Sequence, residues 1–287
     1  AYQDWLITQR TSAPARDTHA SICWLMDIPA LYRCRAPGST CLSALTQQQG
    51  QPPLESYISH PQNHSKGCGG VMRVAPLGVS RYTAVPIEAL DREGAELAAI
   101  THGHSLGYMP AAVLTHILHR IVYPERTQTL LQIVCEARDT VRALFAGDKH
   151  LDELTARIDL AIRLADNDEP DLANIHRLGE GWVAEETLAV AIYCALRHAD
   201  DFSAGIIAAV NHCGDSDSTG AVTGNILGAL LGYDAIDKAW TRDLELRDVI
   251  LELADDLDRR PERLQDCRNI DRDWAQKYVQ GRAVRTV

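Results

Sequence analysis

Four glycines recur at every fourth position near the end of one apolar segment, and this spacing constrains the fold more than any other feature. They are Gly220, Gly224, Gly228 and Gly232. Residues four apart lie on one face of an α-helix, and each glycine costs a helix about 1 kcal/mol relative to alanine. Close approach of another helix is the simplest reason for such a face. The segment therefore predicts a tightly packed helical core.

Helical periodicity of apolar residues predominates in the rest of the chain. It predicts helices over residues 86–100, 110–122, 127–146, 151–165, 184–195, 202–212 and 246–258. Pro86 and Pro110 stand where a proline in the first helical turn is tolerated. Residues 71–79 are ambiguous, although Pro76 argues against a central strand, and the polar residues 46–66 predict a loop. We predict one all-α domain over residues 1–287.

Composition excludes several classes of function. The net charge of −11 disfavours a nucleic-acid surface or an anionic membrane as partner. The eight cysteines include no C-x-x-C pair, which argues against a zinc knuckle or a redox motif. They favour a reduced, intracellular protein, and we expect it to be cytoplasmic. No signal peptide or membrane span is apparent. The chain begins with Ala1, and we expect that more sequence precedes it.

Two carboxylates and a hydroxyl are crowded together just before the glycine repeat. Asp215, Asp217 and Ser218 follow Gly214, and clustered hard oxygen ligands suit a divalent cation such as Mg²⁺ or Mn²⁺. The alternative is structural: Asp215 could be a helix N-cap, and Asp217 could be favoured by the positive end of the helix dipole.

Three further segments carry residues of chemical interest. Residues 65–73 form a glycine-rich turn that either lets backbone N–H groups approach an anion or is simply a tight turn. His102 ends a helical pattern and either contacts a substrate or bonds to backbone. Trp182 lies in a turn where it could stack on a ring, while Glu185 and Glu186 fit the first turn of a helix.

The order of these motifs resembles that of the ADP-ribosylglycohydrolase family, the dinitrogenase-reductase-activating type of hydrolase. The motifs are SKGCGGVMRVAPLG at 65–78, TH at 101–102, GEGWVAEETL at 179–188 and GDSDSTG at 214–220. The resemblance extends over nearly the whole chain from about residue 35. It implies a single-domain orthogonal helical bundle, a centre of two Mg²⁺ or Mn²⁺ ions, and hydrolysis of a glycosidic bond between ADP-ribose and a protein side chain or small molecule.

The resemblance also implies roles for individual residues. Asp215 and Asp217 would be catalytic, and together with Ser218 they would be metal ligands. His102 and Trp182 would lie close to the ligand. The loop that wraps the distal ribose and diphosphate would comprise Asn63, His64, Ser65, Lys66, Gly67, Cys68 and Gly69.

The chain departs from the family pattern in two places. The Thr/Ser-Asp-Asp block that supplies the other metal ligands does not occur, since Asp200-Asp201 and Asp255-Asp256 both follow alanine in the wrong part of the chain. Cys68 replaces the asparagine of many relatives, and a thiol lacks the paired donor and acceptor of an amide. The alternatives to a hydrolase are a catalytically impaired ADP-ribose-binding module, a fragment, or a crystallin-like structural protein. The glycine repeat is expected to make room for the N-terminal helix that carries the other ligands.

Overall fold

The fold is all-α, as predicted. A computed structural model describes residues 1–12, 23–80, 85–259 and 272–278. The helices are α1 (Tyr2–Thr8), α2 (Ser39–Gln47), α3 (Ala75–Gly78), α4 (Ile87–Ala99), α5 (Ser105–Val122), α6 (Leu130–Leu144), α7 (Leu151–Ala165), α8 (Asp171–Leu178), α9 (Ala184–Arg197), α10 (Phe202–Val210), α11 (Ser216–Leu231), α12 (Lys238–Thr241), α13 (Arg247–Asp258) and α14 (Arg272–Tyr278). No β-strand occurs in these ranges, and none of their helices is both long enough and apolar enough to span a bilayer.

The described residues fall into two compact units. The smaller unit comprises Ala1–Pro53 and Leu246–Val287, and the larger comprises Leu54–Glu245. In the smaller unit, the indole N–H of Trp274 donates to the carbonyl of Asp256 at 2.9 Å, and the Tyr278 hydroxyl donates to the Asp256 carboxylate at 2.7 Å. These bonds tie α14 to α13. The single-domain organisation expected over residues 1–287 stays a prediction.

Helix α5 is the central element of the larger unit and is buried along nearly all its length. Helices α3, α4, α6, α7, α9 and α11 all contact it. Gly94 of α4 makes one of these contacts possible, because a Cβ there would lie 2.3 Å from the Thr115 hydroxyl and 3.2 Å from the Ala111 carbonyl. The main hydrophobic core of the unit forms around this helix.

The structure contradicts the expectation for Pro110 and resolves the ambiguous segment 71–79. Helix α5 begins at Ser105, so Pro110 lies inside the helix and not in its first turn. The His104 side chain caps α5 by accepting a hydrogen bond from the Leu106 N–H at 3.1 Å, which starts the helix earlier than apolar spacing suggests. Residues 71–79 form a 3₁₀ turn, Val71–Arg73, followed by the short α3.

The glycine repeat of α11 faces α10 over only half of its length. A Cβ on Gly220 would lie 2.6 Å from a methyl of Val210, and one on Gly224 would lie 3.5 Å from a methyl of Ile206. Gly228 has open space around it, and Gly232 ends the helix with φ of +81°. Close helix approach is therefore confirmed at Gly220, whereas a Cβ at Gly224 would make only an ordinary van der Waals contact. The described residues bring no helix close to Gly228 or Gly232. The helix packed against the first two glycines is α10. Room for an N-terminal helix that carries the other ligands stays a prediction.

Candidate active site

The loop of residues 63–69 is held in place by its first residue. The Asn63 amide donates to the carbonyl of Thr101 at 2.8 Å, and its oxygen accepts from the N–H groups of Ser65 and Gly103 at 2.9 and 3.1 Å. These bonds use the Asn63 side chain to fix the loop backbone. The neighbouring His64 side chain is exposed to solvent. Asn63 therefore shapes the loop, whereas His64 is free to meet a ligand from the solvent side.

His102 lies beneath this loop and supports its glycines. Its ring is 2% exposed, and a Cβ on Gly67 or Gly70 would come within 3.4 Å of a ring nitrogen. Nδ1 lies 2.8 Å from the Thr101 hydroxyl. Burial, assisted by the charge of Arg73, lowers the pKa of His102 to about 4. The ring is therefore neutral near pH 7, and its contacts are with the loop and not with solvent.

Lys66 fastens the loop to the start of α9. Its ammonium pairs with the buried carboxylate of Glu185 and lies 3.8 Å from that of Glu153. The Lys66 carbonyl also accepts the N–H of Ala184 at 2.9 Å. Burial alone would lower the pKa of Lys66, but the Glu185 hydrogen bond and charge raise it. One oxygen of Glu185 has no hydrogen-bond partner, so Lys66 is what offsets the cost of burying this carboxylate.

A second loop, residues 179–183, presents Trp182 to the solvent. Gly179 and Gly181 have φ of +127° and +81°, which only glycine adopts readily. The Glu186 carboxylate accepts the N–H groups of Glu180 and Gly181 at 3.0 and 3.2 Å. Trp182 is 58% exposed, and its indole N–H donates to Glu180 at 3.2 Å. The expected exposed aromatic is present on a fixed turn.

Backbone contacts join these two loops to the acidic block. Gly67 and Val183 form an antiparallel bridge. The Glu180 carbonyl accepts the N–H of Asp215 at 2.7 Å, and a Cβ on Gly214 would lie only 1.9 Å from that carbonyl oxygen. No side chain fits at residue 214 in this arrangement. The structure thus brings the 63–69 loop, the 179–183 loop and the start of α11 to one place.

The Asp215 carboxylate does not cap its helix. It stands at the N-cap position of α11 but accepts no N–H of the first turn. Its Oδ2 atom instead lies 2.9 Å from the Ser218 hydroxyl and 3.0 Å from the Cys68 thiol, and the Cys68 sulfur lies 3.2 Å from Ser218 Oγ. Met72 Sδ is 3.1 Å from the same hydroxyl. We call the first three atoms the Cys68–Asp215–Ser218 triangle.

Two groups next to Asp215, the Asp217 carboxyl and the Cys68 thiol, have raised pKa values. A hydrogen bond with Asp215, together with partial burial and the Asp215 charge, raises the pKa of Asp217. Burial, the hydrogen bond to Asp215 and its charge raise the pKa of the Cys68 thiol to about 12. The thiol is therefore a hydrogen-bond donor near neutral pH. This contact was not foreseen, because 147 positions separate the two residues along the chain.

The donor chemistry of the acidic block fits a divalent cation. Asp215, Asp217 and Ser218 offer hard oxygens. After the hydrogen bond with Asp215 and partial burial, the Asp215 charge also raises the pKa of Asp217, and a cation would relieve that repulsion. In the ranges that the structure describes, however, no three His, Cys, Asp or Glu side chains converge on a metal position. The other acidic pairs are engaged elsewhere: Asp201 caps α10, and Asp256 pairs with Lys277.

His212 was not anticipated from the sequence, yet it organises the segment before Asp215. Its Nδ1 accepts the N–H of Gly214 at 3.1 Å, and its Nε2 lies 2.9 Å from the Thr219 hydroxyl. The Thr219 hydroxyl donates to the Ala209 carbonyl at 2.7 Å. Because the Thr219 hydroxyl donates its one proton to Ala209, it can only accept from His212, and Nε2–H is the donor between the two.

Comparison with known proteins agrees with this arrangement of motifs. The sequence profile described as ADP-ribosylglycohydrolase matches residues 1–267. The chain belongs to the ADP-ribosylglycohydrolase family. The resemblance inferred from the four motifs is thereby confirmed.

Individual relatives of this ADP-ribosylglycohydrolase family member are distant. ADP-ribosylhydrolase ARH3 of Homo sapiens is 26% identical over 200 residues, which cover 63% of this chain and 54% of that protein. ADP-ribosylarginine hydrolase Tri1 of Serratia proteamaculans is 26% identical over 225 residues, which cover 78% of this chain and 55% of that protein. A solved structure titled ADP-ribosylglycohydrolase-related protein complex matches with a TM-score of 0.50 and 26% identity, over 76% of this chain and 67% of that one. The chain spans about half the length of the curated relatives it matches.

Proposed function

We propose that this protein hydrolyses the glycosidic bond between ADP-ribose and a modified protein side chain or small molecule. The observation that carries the proposal is the meeting of the 63–69 loop, the 179–183 loop and the Asp215 block at one place. The names of the relatives ADP-ribosylhydrolase ARH3 and ADP-ribosylarginine hydrolase Tri1 support the same substrate class.

Each loop has a proposed part in binding ADP-ribose. Backbone N–H groups of the glycine-rich residues 65–69 would meet the diphosphate. The exposed face of Trp182 would stack on a ring of the ligand. His64 and Lys66 border the loop on its solvent side, and His102 would keep the glycines in position from below.

The two aspartates would perform the proton transfers. A carboxyl group that holds its proton more tightly than usual can act as the acid for hydrolysis, beside a second carboxylate that acts as the base. The raised pKa of Asp217 suits it to the first role, and Asp215 would take the second. Asp215, Asp217 and Ser218 would also hold Mg²⁺ or Mn²⁺. A bound cation of this kind would polarise the ribose hydroxyls and activate a water molecule.

Release of ADP-ribose from a mono-ADP-ribosylated protein tests the proposal. The chain is incubated with the modified protein and Mg²⁺ or Mn²⁺, and free ADP-ribose is measured by chromatography. We expect release by the native chain, and a loss of at least about 100-fold with Asp215→Asn. His198→Asn, which changes a residue outside the candidate site, serves as the control. Absence of release with either metal would reject hydrolysis by this chain.

An ADP-ribose-binding module without turnover is the second candidate. The observation that favours it is that Cys68 Sγ lies 3.0 Å from the Asp215 carboxylate. Calorimetry with ADP-ribose separates the two functions. Binding without release of ADP-ribose from the modified protein favours the module, and lack of both would favour a structural role. A cytoplasmic location remains a prediction.

A further inference from the structure

Helix α10 is apolar on every side, although part of it lies at the surface of the larger unit. Its sequence, FSAGIIAAV, carries no charged residue. A surface helix normally has a polar outer face, whereas a helix that is apolar all round is normally covered. The methyls of Ile206 and Val210 lie near the first two glycines of α11. Ile207, in contrast, is 52% exposed, so one face of α10 is open to solvent.

Trp240 extends this open face. Its indole N–H donates to the Ser203 hydroxyl at 2.9 Å, and Ser203 stands four residues before Ile207, on the same side of α10. The indole is itself 40% exposed. Ile207 and the indole therefore border the same strip of surface. We call Ser203, Ile207 and Trp240 the α10 face.

An acidic cleft opens at the N-terminal end of the same helix. It has a volume of about 660 Å³ and lies between residues 200–203 and residues 234–238. Four carboxylates line it, those of Asp200, Asp201, Asp234 and Asp237. In the described ranges, no lysine or arginine pairs with any of the four, and Lys238 is the one cationic residue among the described residues that line the cleft. The cleft therefore carries a negative charge that the described chain does not neutralise.

Charge and aromatic groups together indicate what would cover this surface. Carboxylates around a cleft favour a cationic partner, and an exposed aromatic ring offers its face to a guanidinium or ammonium group. Trp240 and Tyr233, which directly precedes residues 234–238, are both exposed. A second copy of the chain, related by a two-fold axis, would bring the same carboxylates of two molecules together. Nucleic acids and anionic membranes would be repelled.

We propose that the α10 face and the acidic cleft form a docking site for a basic amphipathic helix of a partner protein. Apolar side chains of that helix would cover Ile207 and Trp240, and its lysine or arginine side chains would enter the cleft. This is the helix-in-groove mode of recognition. Helix α11, whose 16 residues span about 24 Å, separates the cleft from Asp215. The docking site therefore does not depend on the proposed function.

Binding of a synthetic helical peptide to the full chain tests the proposal. The probe is a fluorescently labelled peptide of about 18 residues, with leucines at helical spacing on one face and lysine and arginine elsewhere. A peptide of the same composition, in an order that gives no apolar face, is the control for charge alone. In about 0.15 M salt, fluorescence anisotropy should give a Kd on the order of 10 μM for the helical peptide and at least about tenfold weaker binding for the control.

Two pairs of charge reversals distinguish the cleft from the general negative charge of the chain. Asp200→Lys combined with Asp234→Lys leaves the N-caps of α10 and α12 in place and should weaken binding at least about tenfold. Asp166→Lys combined with Asp168→Lys changes the net charge equally, at exposed positions outside the cleft. This second pair should change Kd by less than about twofold.

A matched pair of apolar substitutions examines the α10 face in the same way. Ile207→Gln removes an exposed apolar side chain of this face and should weaken binding at least about fivefold. Leu172→Gln makes a similar change on α8, where the side chain is 57% exposed, and should leave Kd unchanged. Far-ultraviolet circular dichroism checks that each variant is folded.

Three results would overturn the proposal. The first is equal binding of the helical peptide and its control. The second is unchanged binding by the Asp200→Lys, Asp234→Lys variant or by Ile207→Gln. The third is a dimer of the native chain in sedimentation that Ile207→Gln dissociates, because a second copy would then occupy the α10 face.

Discussion

His102 shows how burial can give one side chain a measurable pH dependence. In the unfolded chain its imidazole takes up a proton as the pH falls through about 6.5, whereas the folded protein keeps it neutral until about 4. Between these values the unfolded state binds more protons, so the free energy of unfolding decreases as the pH falls. At pH 4.5 the loss attributable to His102 should be about 2–3 kcal/mol.

Urea unfolding at pH 7.5 and 4.5 measures this effect. The difference between the two pH values should be smaller in His102→Asn than in the native chain by about 2–3 kcal/mol. The cost of altering a buried side chain cancels, because each protein is compared with itself. His64→Asn, at an exposed histidine, should leave the difference unchanged. An equal pH effect in the native chain and His102→Asn would contradict burial as the cause.

His212 should be a positioning residue for the segment before Asp215. His212→Asn places an amide oxygen where Nδ1 now accepts the Gly214 N–H, whereas His212→Ala leaves that N–H without its acceptor. Losing one such bond costs about 1 kcal/mol. Amide hydrogen exchange across residues 211–218 should therefore accelerate about fivefold in the alanine variant and less in the asparagine variant. Equal acceleration in both would show that the Nδ1 bond has no positioning role.

At the scale of the helix, apolar spacing in the sequence predicts the helices better than it predicts the contacts between them. The long amphipathic segments α4, α6, α7 and α9 lie within a few residues of their predicted ranges, because apolar spacing fixes a buried face. Helix α8 was missed, since its eight residues are too short for a clear period. The start of α5 was missed because a histidine cap decides it.

In the candidate site, too, the local motifs are easier to predict from the sequence than the contacts between them. The acidic block, the glycine-rich turn and Trp182 are each visible in the sequence as local patterns. That Cys68 touches Asp215 is not visible, because long-range packing brings together residues from distant segments. Sequence therefore predicts which residues carry the chemistry, and the tertiary structure decides which of them meet.

The unequal packing of α11 predicts opposite effects of alanine along one helix face. At Gly220 an added Cβ would meet a methyl of the stiff Val210 side chain at 2.6 Å, so Gly220→Ala should destabilise by about 1–3 kcal/mol. Gly228 lies inside the helix with nothing within 4 Å of the added atom. Gly228→Ala should therefore stabilise by up to about 1 kcal/mol.

Thermal and urea unfolding of the two variants compare these predictions directly. Both substitutions replace glycine by alanine and lower the conformational entropy of the unfolded chain equally. The difference in stability between the two variants therefore reports packing in the folded state. A similar stability in Gly220→Ala and Gly228→Ala would mean that α10 does not approach α11 closely at its first glycine.

At the scale of the whole molecule, every residue named in the candidate site lies in the larger unit. The main hydrophobic core runs from Val71 to Leu227, wholly inside Leu54–Glu245. The two loops and the start of α11 lie in the same unit. A length of about 190 residues is within the usual range for an independently folding domain. We therefore expect residues 54–245 to fold when expressed alone.

Urea unfolding of the 54–245 protein, followed by far-ultraviolet circular dichroism, tests this expectation. We predict one cooperative transition, with a slope about two thirds that of the full chain if slope follows the surface exposed on unfolding. Ile192→Asp buries a charge at a position that is 0% exposed and should abolish the transition. A gradual loss of helicity, or binding of a hydrophobic dye by the unmutated unit, would mean that its core does not hold together without the rest of the chain.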